Sequence, residues 1–150
     1  MFEPGHSTEQ QPPFRFAVYT RVAFSDTDAQ GVVYYGRYLP YFDLARTEYH
    51  RRLGEVGVAR AEFVMRASSV EYLAPARFDD LLEVFVRVSR IGRSSVTYEY
   101  AAYKVGPDGH ESLMVTATQS IVLIDHDDRK TLAVPDGFRD AVSALEETAL

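Results

Sequence analysis

Hydrophobic and polar positions change period several times along the chain, and each change marks an element. From Phe14 to Phe24 the apolar residues Phe14, Phe16, Val18, Val22 and Phe24 share one face, with Arg15, Tyr19 and Arg21 between them. A period of two is that of a half-buried strand. The next residues, Ser25-Asp26-Thr27-Asp28-Ala29-Gln30-Gly31, are turn formers and predict a loop. Beyond Gly36 the period becomes helical, because Tyr38, Tyr41, Phe42, Ala45, Tyr49 and Leu53 recur at steps of three and four. Pro40 suits only a first turn and Gly54 the position after a last one, so the helix runs from about Tyr35–Arg37 to Leu53.

Four strand-like runs follow: Phe63 to Leu73, Leu82 to Ile91, Ser95 to Val105 and Leu113 to Ile124. Pro75–Asp80, Gly92-Arg93 and Gly106-Pro107-Asp108-Gly109 separate them as loop, tight turn and hairpin connection. Runs this long predict a strongly curved antiparallel sheet. A loop at Asp125–Lys130 leads to a short helix around Asp136–Glu147. The order of strand, long helix, four strands and short helix is α+β with no internal repeat. One sheet face covers the helix, but the other face and at least one edge stay open, so a homo-oligomer is expected.

Composition narrows the possibilities. At 150 residues the chain has the size of one domain, read as a flexible leader over 1–13 and a single domain over 14–150. Sixteen Lys and Arg against 22 Asp and Glu leave a net charge of −6, which argues against nucleic acid as a partner. With no cysteine, thiolate metal sites and a cysteine nucleophile are excluded. The longest apolar runs have four residues, so no membrane span is predicted. The leader lacks the apolar segment of a secretory signal, which makes a cytoplasmic location the expectation.

Chemistry concentrates in the loop before the helix. Asp26-Thr27-Asp28 opens like a calcium loop, but Arg37 occupies the twelfth position, where that pattern requires a bidentate Glu, so no metal is expected. Asp26 directly follows the strand and is read as a capping residue. Asp28 is read as catalytic. It precedes Val32-Val33-Tyr34-Tyr35 and a helix start, where free N–H donors and the positive dipole end favour a developing oxyanion.

The block Arg21-Val22-Ala23-Phe24-Ser25-Asp26-Thr27-Asp28-Ala29-Gln30-Gly31-Val32-Val33-Tyr34-Tyr35-Gly36-Arg37-Tyr38, continuing through Asp43-Leu44-Ala45-Arg46-Thr47-Glu48, resembles the signature of hotdog-fold acyl-CoA thioesterases of the 4-hydroxybenzoyl-CoA thioesterase and YbgC-like type. Tyr72–Asp80 and Arg90–Ser95 extend the resemblance, which covers about Phe14 to Pro135. It implies a five-stranded antiparallel sheet wrapped around one long helix, paired into a homodimer with two sites at the interface; a homotetramer is expected beyond that, though the sequence does not distinguish dimer from tetramer. It also implies that Asp28 is nucleophile or general base and that the backbone N–H of Tyr35 polarises the thioester carbonyl. Many relatives carry His where this chain has Tyr35, so a His-assisted step is not available here. Asp43 falls where the 4-hydroxybenzoyl enzymes hold a phenol across the dimer, but an ion pair with Arg46 competes for it.

Gly31, Val33, Tyr34 and Tyr72 are the remaining candidates to line the acyl site, and Arg90, Arg93, Arg129 and Lys130 to meet the phosphates of coenzyme A. No cofactor is expected, since coenzyme A is part of the substrate. Of the histidines, His6, His110 and His126 lie in leader, hairpin and acidic turn, and His50 is read as a surface residue at the helix end. Glu48 and Arg52 are spaced as a helical pair. Acyl-CoA hydrolysis is the leading function. A hotdog dehydratase lacks its histidine, and a non-catalytic module binding acyl-CoA or acyl-carrier protein is the alternative.

Overall fold

The computed structural model describes residues 4–54 and 61–150. Six strands form one antiparallel sheet: β1 Gly5–Ser7, β2 Phe16–Arg21, β3 Ala61–Tyr72, β4 Leu81–Ile91, β5 Ser95–Val105 and β6 Glu111–Asp125, in the order β1-β2-β4-β5-β6-β3. One long helix, α1 Tyr38–Leu53, and a C-terminal helix, α2 Asp136–Glu146, complete the described chain. Among the described residues no helix is long and apolar enough to cross a membrane.

The sheet has one strand more than the five expected, because the leader supplies β1. Gly5 pairs with Val18, and a Cβ at position 5 would stand 2.3 Å from Phe16 Cζ, so only glycine lets the leader approach that ring. Three residues without apolar alternation carry no strand signal in the sequence.

Alternation in the sheet does what the period of two predicts. Leu82, Val84, Val86 and Val88 of β4 are buried in the core that includes α1, while Ala17, Phe85 and Ala101 form a smaller cluster apart from it. The stripe Tyr38, Tyr41, Phe42, Ala45 and Tyr49 is the buried side of α1. Phe42 stacks on Tyr100 with ring centroids 4.7 Å apart, and Tyr49 meets Phe16 edge-on at 5.8 Å. The far end of α1 is tied to α2 and β4 through one carboxylate: Glu146 accepts from Tyr49 Oη at 2.6 Å and from the Val88 N–H at 3.1 Å. Of the charged face, Glu48 accepts from Arg51, and Arg52 donates to Ser7 Oγ at 2.9 Å on β1.

The near end of α1 is tied to the loop after β2 by a second buried carboxylate. Asp26 closes a 3-10 turn over Phe24–Asp26 by accepting from the Ala23 N–H at 2.9 Å. It also accepts from Arg37 Nε and from Tyr41 Oη, both at 2.7 Å. Burial alone would raise this carboxyl, but Arg37 first, then Tyr41 and the Ala23 N–H, outweigh it and hold it below its ordinary 3.8. The capping role read from the sequence is thus realised, with two helix residues added as partners.

A depressed carboxylate stabilises the fold above its unfolded pKa, and that stability is lost as pH falls through the folded one. Asp26→Asn is therefore expected to cost about 2 kcal/mol at neutral pH, the scale of hydrogen bonds to a charged group. In urea unfolding followed from about pH 7 down to about pH 2.5, the gap between wild type and variant should close with acid. A gap unchanged with pH would show that ionised Asp26 does not hold the loop.

Candidate active site

Between the Asp26 anchor and α1 the backbone is held on both sides. Tyr34 N–H donates to Asp26 O at 2.9 Å, Val33 N–H to Ala76 O at 2.8 Å and Asp28 N–H to Val32 O at 2.9 Å. The 76–80 segment is thus fastened to the same loop, and Val22 and Asp80 close its base. Asp28 heads a tight turn: its carbonyl accepts from Gly31 N–H at 2.9 Å and its Oδ1 from Gln30 N–H at 2.8 Å. Gly31 sits at φ +79 with open space where a Cβ would go, so the left-handed backbone and not crowding requires glycine there.

The turn leaves Asp28 exposed, with Oδ1 oriented and Oδ2 without a partner among the described residues. Next to it the helix opens through a 3-10 turn, Tyr35–Arg37, that runs straight into α1. Arg37 N–H already donates to Tyr34 O, while the N–H groups of Tyr35 and Gly36 have no acceptor among the described residues. A carboxylate with a free oxygen and a pair of open donors therefore lie on one short loop. That combination can attack, or activate water against, a carbonyl whose oxygen the donors receive.

Aromatic rings wall the place. Tyr35 lies 4.3 Å from Tyr34 and 6.3 Å from Tyr72 between centroids, and Tyr72 Oη donates to Tyr35 O at 2.9 Å. Tyr34, Tyr35 and Tyr72 are all about half exposed, as are Leu73 and, on β3, Met65. Val33, a candidate lining residue, instead turns into the core, and Gly31 stays in the turn. An open cavity of about 420 Å³ lies away from this site, lined by Ser69, Glu71, Glu99 and Thr116.

The four basic candidates are not brought to Asp28 within one chain. Asp28's loop is fastened to residues 76–80, just ahead of the start of β4, whereas Arg90 and Arg93 are at its finish. Arg93 O accepts from Val134 N–H, which places Arg129 and Lys130 toward that same end. Eleven residues of β4 span about 33 Å. Arg129 is paired with Glu62.

Two residues differ from the sequence-based reading. His50, expected on the surface, is wedged between Phe63, Tyr98 and Phe138 and bonded to Tyr98 Oη. Burial, then the Arg46 charge, lower its imidazole to about 4, so it is neutral at physiological pH. Asp43 does take its helical partner, accepting from Arg46 Nη2 at 2.7 Å, but Arg46 reaches further, to Tyr100 Oη at 3.0 Å and Gln119 Oε1 at 2.9 Å. The partners lie 54 and 73 residues away, and no local spacing announces them.

Comparison with known proteins agrees with this architecture. Residues 30–109 match the family model described as Thioesterase superfamily, a span that starts just after Asp28. The chain is 33% identical over 137 residues to the acyl-CoA thioesterase YbgC of Haemophilus influenzae, covering 87% of this chain and 96% of that protein. A thioesterase-superfamily structure from Jannaschia superposes with a TM-score of 0.84 at 21% identity, covering 93% and 89% of the two chains. A Thermus thermophilus thioesterase in complex with coenzyme A and zinc superposes at 0.78 with 28% identity, covering 93% and 100%. One long helix in a curved antiparallel sheet, together with these matches, makes the chain a member of the hotdog-fold thioesterase superfamily.

Proposed function

We propose that this enzyme hydrolyses acyl-CoA thioesters to the free acid and coenzyme A, with Asp28 as the reacting carboxylate and the N–H of Tyr35 as the oxyanion donor. The observation that carries the reading is the exposed, turn-held Asp28 beside a helix start whose first two N–H groups are open. The names of the Haemophilus and Thermus proteins support the substrate class.

In the nucleophilic route an Asp28 oxygen bonds to the thioester carbon, the C–S bond breaks, coenzyme A leaves as thiolate, and water then cleaves the mixed anhydride. In the general-base route Asp28 takes a proton from water as that water bonds to the carbonyl carbon, and the C–S bond breaks from the tetrahedral adduct. Both routes put negative charge on the carbonyl oxygen, where a preorganised backbone donor is worth ~3–4 kcal/mol.

The separation of Asp28 from Arg90, Arg93, Arg129 and Lys130 is resolved by a second copy. β3 is the outermost strand and is twelve residues long, with Val64 and Met65 exposed on it. Antiparallel pairing of β3 with its own copy sets the partner's residue-61 end against Tyr72. The basic end of one protomer then flanks the Asp28 end of the other, and the phosphates of coenzyme A lie at that seam.

Asp28→Asn should retain the fold by circular dichroism while kcat on acyl-CoA falls by about a thousandfold, the scale of a lost catalytic carboxylate; wild-type turnover would remove Asp28 from the reaction. In single-turnover hydrolysis in oxygen-18 water, label found in Asp28 identifies the nucleophilic route with water attacking the aspartyl carbonyl of the anhydride, because the general-base route puts none there. Arg90→Glu with Arg93→Glu should raise KM for acyl-CoA about tenfold, yet leave hydrolysis of the same acyl group on N-acetylcysteamine unchanged. An equal effect on both thioesters would separate these arginines from the nucleotide.

A further inference from the structure

The backbone bonds that hold the Asp28 loop in place run as far as Tyr34, whose N–H donates to Asp26 O. The next peptide, Tyr35–Gly36, is held from the sheet instead: Tyr72 Oη donates to Tyr35 O at 2.9 Å. Tyr72 is half exposed, and a phenol at the surface has water to bond. Here it takes a backbone carbonyl 37 residues away in sequence, and its ring stands edge-on between Tyr35 at 6.3 Å and Tyr38 at 5.9 Å.

The place of Tyr72 is itself fixed. It is the last residue of β3, opposite Val115 of β6, and the N–H groups of Leu73 and Ala74 both donate to Met114 O, at 2.8 and 3.1 Å. Burial, then the neighbouring Tyr35, raise its hydroxyl above the ordinary 10.0, so it stays a donor across the neutral range. A peptide is planar, so a hydrogen bond that fixes its carbonyl also fixes the direction of the N–H on the same amide, which points the opposite way. Drawing electron density onto the oxygen strengthens that N–H as a donor, as in any chain of hydrogen bonds. The N–H concerned is that of Gly36, which has no acceptor among the described residues and follows directly on the open N–H of Tyr35.

We propose that Gly36 N–H is a second oxyanion donor beside that of Tyr35, and that Tyr72 is the positioning residue that aims and strengthens it. The bond from Tyr72 gains strength as negative charge arrives on the substrate oxygen, because that charge polarises the whole run from Gly36 N–H through Tyr35 O to Tyr72 Oη. Tyr72 therefore acts on the transition state more than on the bound thioester. An acyl group laid against Tyr34, Tyr35 and Tyr72 excludes water from this run, where each bond then counts for more. The proposal rests on the thioesterase reading above and deepens it by naming the residue of the sheet edge that tunes the site.

The test compares wild type with Tyr72→Phe, which keeps the ring and removes the donor, on hexanoyl-CoA and benzoyl-CoA, with circular dichroism as the check on folding. The single-turnover rate should fall about tenfold on either ester with KM unchanged, a part of the roughly hundredfold or more lost with a whole donor. Two probes that are not hydrolysed separate this from a structural role. Trifluoroacetonyl-CoA, whose hydrated ketone mimics the tetrahedral adduct, should bind about tenfold more weakly to the variant, while S-propyl-CoA, without the oxygen, should bind both proteins equally. Tyr72→3-fluorotyrosine, a stronger donor of nearly the same shape, should hold the rate at or above wild type even where Tyr72→Phe fails to fold. Unchanged rates in Tyr72→Phe, equal weakening of both probes, or a fluorotyrosine variant slower than wild type would overturn the proposal and leave thioester hydrolysis standing. Failure of the wild type to hydrolyse any acyl-CoA, these two included, would overturn that underlying reading as well.

Discussion

The site depends on one buried carboxylate that does no chemistry. Asp26 gathers a backbone N–H from its own turn, a guanidinium from the 3-10 turn that leads into α1 and a phenol from α1, and by doing so fixes where the loop meets the helix. Everything downstream follows from that join. The turn headed by Asp28 cannot drift from the helix start, because Tyr34 N–H is bonded to Asp26 O on one side and Val33 N–H to Ala76 O on the other. Two aspartates two residues apart therefore have opposite duties: the enclosed one is saturated with donors, and the exposed one keeps an oxygen free.

A second constraint is that a single curved sheet with one helix in its grasp leaves an edge unpaired. Its edge strand β3 lies open, and the aromatic wall of Tyr34, Tyr35 and Tyr72 stands beside the end of that strand. The basic residues that suit a nucleotide sit a full strand length away in the same chain. The edge-to-edge pairing we propose addresses both features in one step, since the antiparallel relation that covers the strand also exchanges its ends.

Much of this was legible in the sequence because the signals are local. The helical stripe from Tyr38 to Tyr49, the turn residues around Gly31 and the capping position of Asp26 each reside within a few consecutive residues, and the structure has them as read. What was missed depends on contacts remote in sequence. β1 exists because Gly5 can lie on Phe16, which no periodicity reports. His50 looked like a cation at a helix end, yet Phe63, Tyr98 and Phe138 close over it. Arg46 read as a helix-surface partner of Asp43, while its other two contacts come from β5 and β6.

In the proposed reaction Asp28 and the open N–H of Tyr35 address the same carbonyl. A crystal structure with a ketone analogue of an acyl-CoA, in which a methylene replaces the thioester sulfur, tests it most directly. The ketone oxygen should lie at about 3 Å from the Tyr35 nitrogen, with an Asp28 oxygen facing the carbonyl carbon directly or through one water. An analogue bound with its carbonyl away from the helix start, for instance in the cavity bordered by Glu71 and Glu99, would contradict it.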